Sequence, residues 1–147
     1  MNLKELIFKL RRLLIIALHI ILIICAYVFA FYLRFDFQIA GSYWQLILRT
    51  LPALVFIKII ILGYFGLYSG LWRYASLDDF RRILKANVLS TICFVLATGF
   101  LLGRQKGVFD FSGFPRSVFI LDFLLSFCFI AGIRFVNRLA RERLRPE

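Results

Sequence analysis

Few residues in this chain have chemistry to offer, and they are scattered. Lys58 and Asp122 are charges set inside otherwise apolar stretches, His19 is the single histidine, and Cys25, Cys93 and Cys128 stand apart from one another. An ionisable group in such surroundings is costly unless it is paired, and where it is retained it either pins helices together or relays protons or ions. Lys58 lies nine residues past Arg49 and Asp122 six past Arg116, so two helices running the same way would carry them at comparable depth and let them pair. His19 invites an interhelical hydrogen bond, with Asn87, Ser90, Thr91 and Thr98 as candidate partners. The cysteines form no CxxC pair, so they are expected to be small apolar core residues rather than metal ligands. No GxSxG, HExxH, P-loop or glycine-rich dinucleotide fingerprint occurs. The sequence therefore offers no catalytic residue, no metal ligand and no cofactor-binding residue, and no cofactor is expected in this chain.

The elements that must position these residues are four apolar runs, Leu13–Leu33, Thr50–Tyr68, Ala86–Gly103 and Val118–Ile133. Crossing a bilayer core as a helix takes roughly 20 apolar residues. Arg116 and Arg134 flank the shortest run and can snorkel outward to lengthen it. With 62% hydrophobic residues in a 147-residue chain, the composition excludes an ordinary soluble domain. The expected fold is all-α: a single integral membrane four-helix bundle with helices at about 13–33, 50–68, 86–103 and 116–134.

The net charge of +11 has a topological explanation. With both termini in the cytoplasm, thirteen Lys and Arg fall on the inner side and five on the outer. Positive charge gathers on the untranslocated side, so the topology is N-in, C-in. No groove-reading motif accompanies the charge, so nucleic acid is not the expected partner. The first run is too long for a signal-peptide core and lacks a small-residue cleavage site, which makes it an uncleaved helix.

Residues 1–12 form an amphipathic lead-in, with Leu3, Leu6, Ile7 and Leu10 on one face. Tyr27, Tyr32, Phe35, Tyr43 and Trp44 make an aromatic belt at the outer boundary. Ser76-Leu77-Asp78-Asp79 has the form of a capping box. It opens either a short cytosolic amphipathic helix over about 76–85 or a solvated start to helix three. Gly66-xxx-Gly70 and Gly99-xxx-Gly103 match the small-residue packing motif, or else mark turns at helix ends.

A set of short motifs recurs at the helix ends: Tyr32-Leu-Arg34-Phe-Asp36, Phe65-Gly-Leu-Tyr68, Leu71-Trp72-Arg73-Tyr74-Ala75-Ser76, Pro115-Arg116-Ser117 with Leu121-Asp122, and Gly132-Ile-Arg134-Phe135 with Arg138. In this order and spacing the set resembles the N-terminal four-helix transmembrane region of the CapD-type polysaccharide biosynthesis proteins, membrane-bound nucleoside-diphosphate-sugar epimerases and dehydratases. A related membrane region heads some polyprenyl-phosphate sugar-1-phosphate transferases.

The resemblance implies a surface-glycan pathway in a bacterial inner membrane. It places NAD(P)-dependent chemistry on a UDP-sugar in a cytosolic Rossmann domain after the fourth helix. No glycine-rich loop follows Arg134 in this sequence, so the resemblance carries no catalytic residue onto it. The expectation is a membrane-anchoring and orienting domain, either truncated or with its catalytic half on a separate chain, and able to self-associate. Trp72, Arg73 and Tyr74 would sit at headgroup level, with Arg73 able to meet a lipid phosphate, including a polyprenyl phosphate. Arg134 and Arg138 share a helical face and would point at anionic lipid or a partner domain. The alternative from a different class is a small four-helix transporter or an accessory to a lipid-linked glycan flippase.

Overall fold

The computed structural model describes residues 3–68, 77–103, 111 and 113–143. They form four helices: α1 (Leu3–Arg34), α2 (Gly41–Tyr64), α3 (Leu77–Gly103) and α4 (Ser117–Arg143). All four are long and apolar enough to cross a membrane. The shortest has 24 residues and spans about 36 Å, more than the ~30 Å hydrocarbon core.

Each helix packs beside its neighbours in the chain, and α1 closes the ring against α4, leaving α1–α3 and α2–α4 as the diagonals. One end of the bundle gathers Lys9, Arg11, Arg12, Arg81, Arg82, Lys85, Arg134 and Arg138 and is called the basic end below. The other is the aromatic end. There the Phe114 ring stacks on Phe119 at 4.5 Å and meets Phe31 edge-on at 6.0 Å, while Phe35 lies 4.3 Å from Tyr43. The outward faces carry exposed large apolar side chains on every helix, among them Ile21, Phe56, Phe100 and Ile120. Water does not tolerate so much contiguous apolar surface, whereas lipid does.

Each helix passes its apolar run at one end or both, but α2 stops at Tyr64, four residues short of the expected Tyr68, where the chain turns. The lead-in over 1–12 continues into α1 without a break, and α2 begins at Gly41 rather than near Thr50, with Pro52 accommodated inside it. The segment over 76–85 is not a separate helix: described from Leu77, it forms the first turns of α3. α4 runs nine residues past Arg134. Hydropathy marks where the solvent changes, not where the backbone does, and polar residues with good helix propensity carry a helix onward.

Two helix ends share a Schellman-type stop. After α2, Gly66 takes φ 69°, the Leu67 N–H donates to Leu62 O at 3.0 Å and the Gly66 N–H to Gly63 O at 3.0 Å. After α1, Asp36 takes φ 49° and the Phe37 N–H donates to Tyr32 O at 2.8 Å. Aspartate is among the few non-glycine residues that visit this region readily. The turn after α2 folds Tyr68 back over its own helix, where a Cβ on Gly63 would lie 3.1 Å from the Tyr68 ring. That close approach is the reason for a glycine at position 63.

Candidate functional site

Polar side chains in the bundle interior close on one another across the α2–α4 diagonal and between α1 and α2. Lys58 of α2 reaches through the middle to α4, donating to Asp122 Oδ2 and to Ser126 Oγ, both at 2.6 Å. Lysine's four-carbon stem makes this reach, since the α2 and α4 backbones are not themselves neighbours. Lys58 and Asp122 are each 1% exposed. Ser126 lies one turn beyond Asp122; it accepts from Lys58 and donates its own proton to the Asp122 carbonyl. Asp122 Oδ1 has no hydrogen-bond partner among the described residues. Asn87, in the middle third of α3, donates to Phe123 O at 2.7 Å, so three helices converge on this level.

The other diagonal joins α1 to α3. The Tyr27 ring meets Phe94 edge-on at 5.7 Å, and the Tyr27 hydroxyl is 2.6 Å from Thr50 Oγ1. Thr50 spends its single proton on Leu46 O at 2.8 Å, so Tyr27 is the donor in that pair. Ser90 and Thr98 donate to carbonyls of their own helix, Asn87 O and Phe94 O, at 2.9 and 2.8 Å.

His19 differs from expectation. Its Nδ1–H donates to Ile15 O at 2.8 Å within α1, and its ring meets Tyr68 edge-on at 5.4 Å. Its Nε2 has no hydrogen-bond partner among the described residues, and Asn87 and Ser90 bond elsewhere. Tyr68 in turn donates to Ile59 O at 2.7 Å. The turn after α2 has displaced α3 as the neighbour of His19, and nothing in the residue types of that turn announced it.

Arg134 also departs from expectation. Instead of pointing at lipid, its side chain is 4% exposed and turns inward at the basic end. One guanidinium nitrogen donates to Leu67 O, and another lies 3.6 Å from Asp79 Oδ2. Arg134 thus ties α4 to both the turn after α2 and the first turn of α3. Its Nε–H is buried without a hydrogen-bond partner among the described residues. Beside it, residues of α3 and α4 line a groove of about 600 Å³ whose polar lining is Asp79, Arg134 and Arg138.

Of the cysteines, Cys25 and Cys128 are exposed on the outer faces and Cys93 is half-buried, so the core role expected for them fails for two of the three. No group of three or more His, Cys, Asp or Glu side chains comes together among the described residues. Trp72, Arg73 and Tyr74 lie outside the described residues. Comparison with protein-family models, curated proteins and solved structures finds no match.

Proposed function

We propose that this chain is a membrane-anchoring and orienting domain for a nucleotide-sugar dehydratase or epimerase of polysaccharide biosynthesis. In this proposal it lies in a bacterial inner membrane with the basic end and both termini in the cytoplasm. The observation that carries it is the commitment of the central donors: Lys58 donates to Asp122 and Ser126 across a diagonal, and Ser126 donates to the Asp122 carbonyl. Tyr27 and Thr50 end on a backbone carbonyl of α2. Groups committed in this way hold helices in register. A transporter core instead needs polar groups available to a passing solute. The polysaccharide assignment is supported by the ordered helix-end motifs, and no catalytic residue or cofactor is assigned to this chain.

Two experiments test the proposal in the source cell. A periplasm-active reporter fused at either terminus should be silent, and one inserted after Asp36 should be active; the reverse pattern overturns the orientation. Membranes immunoprecipitated through the 77–85 segment should convert a UDP-sugar when supplied with NAD, either by a longer polypeptide or by a co-purifying chain. Absence of turnover across a UDP-sugar panel overturns the assignment. The competing transporter reading draws on the unpartnered Asp122 Oδ1. It requires the double variant Lys58→Met/Asp122→Leu to fold normally yet abolish solute movement in proteoliposomes.

A further inference from the structure

α1 is longer than the bilayer is thick. Its 32 residues span about 48 Å, against ~30 Å for the hydrocarbon core and roughly 40–45 Å with both headgroup layers. With Arg34 at the hydrocarbon boundary on the aromatic side, Leu6 stands about 42 Å away along the axis, about 12 Å past the opposite boundary. A tilt of about 20° leaves it about 9 Å past, still outside a headgroup layer of roughly 5–8 Å. A bend could lay the segment on the membrane surface, but no glycine or proline occurs between Leu3 and Arg34, and the helix is unbroken. The first turns of α1 therefore project into water at the basic end.

Nothing in the bundle covers these turns. Every residue from Glu5 to Leu14 is exposed, and the first buried side chain of α1 among the described residues is Ile15. At about 100° per residue, Leu6, Ile7, Leu10, Leu13 and Leu14 share a stripe about 120° wide, on the side away from the core-facing Ile15, His19 and Ile23. Leu6 and Ile7, which clear the headgroups, are 47% and 57% exposed. Apolar side chains held in water along a rigid helix mark a contact surface. Leu6, Leu10 and Leu13 have the i, i+4, i+7 spacing with which a helix seats in an apolar groove.

Charge selects the occupant. Segment 5–14 holds Lys9, Arg11 and Arg12 against Glu5, a net charge of +2. A second copy laid along it would set this charge against its like, and lipid does not rise to the height of Leu6 and Ile7. We infer that the outward stripe of α1 at the basic end is a docking site for a protein domain that offers an apolar groove rimmed by carboxylates. The site depends on the bundle being embedded in lipid and is independent of any role in polysaccharide synthesis, so either assignment can fail alone.

The test measures how fast a charged maleimide labels the full-length variant Leu6→Cys in two preparations. One is source-cell membrane vesicles with the basic end facing outward; the other is the purified chain in phosphatidylglycerol/phosphatidylcholine proteoliposomes. The chain with only its native cysteines sets the background. Leu6→Cys should label at least about ten-fold more slowly in source-cell membranes than in proteoliposomes, a difference of about 1.4 kcal/mol in exposure. Glu5→Cys, at the same height on the opposite side of the helix, should label alike in both and shows that the reagent reaches the segment. Adding Lys9→Glu to Leu6→Cys should restore the proteoliposome rate in source-cell membranes, because it sets a carboxylate against the acidic rim. Slow labelling of Leu6→Cys in both preparations makes lipid or a second copy the occupant, and fast labelling in both leaves the stripe uncovered; either result overturns the proposal. So does protection that survives Lys9→Glu, or that extends equally to Glu5→Cys.

Discussion

Replacing Lys58 with methionine isolates what holds the centre of this bundle. Methionine has similar length and no charge, so the change leaves Asp122 buried, having lost its 2.6 Å contact, with Oδ1 already unpartnered. Breaking a buried ion pair by removing one partner costs about 3–5 kcal/mol in soluble proteins. A lone charge at the centre of a helix in the membrane costs roughly 2.5–3.5 kcal/mol on insertion scales. Both routes give about 3 kcal/mol here, a shift of roughly 150-fold in the folded ratio. Asp122→Leu should cost a similar amount by stranding Lys58. The double variant Lys58→Met/Asp122→Leu removes both charges and leaves only Ser126, whose proton is already committed to the Asp122 carbonyl. It should therefore lie within about 1 kcal/mol of wild type, since apolar replacement of a whole buried pair is often neutral or stabilising. The assay is reversible unfolding of the purified protein by SDS titration from mixed micelles, read by circular dichroism, for the four corners of the cycle. Single variants as stable as wild type, or a double variant destabilised by the sum of the singles, would refute the reasoning.

Three further outcomes follow from the packing. Tyr27→Phe and Thr50→Val should each lower stability, and a double-mutant cycle should give a coupling of about 1 kcal/mol, within the ~0.6–1.7 kcal/mol range of interhelical hydrogen bonds in membranes; additive effects would mean the 2.6 Å contact contributes nothing. Phe114→Ala, at the centre of the aromatic end, should cost about 3 kcal/mol, whereas Phe100→Ala, 68% exposed on an outer face, should stay within about 0.5 kcal/mol in the same assay. Cys25 and Cys128 should resist a charged maleimide in sealed vesicles and react once the protein is unfolded, because a charged reagent does not enter the bilayer that their faces meet; rapid labelling of either in intact vesicles would place that face in water.

The four helices could be read from hydropathy because a bilayer selects for long apolar runs, and the Lys58–Asp122 contact because two charges at like depth have little else to pair with. The helix ends could not. Gly41 and Ser42 look like loop residues, and the charges beyond Arg134 look like a tail, yet both segments are helical. Arg134 was misplaced for a different reason. Its acceptor is the backbone carbonyl of Leu67, exposed by a helix stop, and a carbonyl has no signature in residue type. His19 was paired with the wrong element because its neighbour is set by how the turn at Gly66 folds Tyr68 back. The groove between α3 and α4 depends on how the two backbones pack, which no spacing in the sequence encodes.

The diagonal ion pair also constrains how the protein is made. Lys58 and Asp122 are 64 residues apart, and at ~5–20 residues per second the ribosome needs roughly 3–13 s to deliver the aspartate after the lysine. Throughout that interval α2 has no counter-charge. An unpaired ammonium in the bilayer core is costly, so α2 waits beside the polar lining of an insertion channel until α4 arrives. Biogenesis of this bundle therefore has an obligatory holding stage, and cells deficient in membrane insertase should accumulate the chain with α2 outside the bilayer.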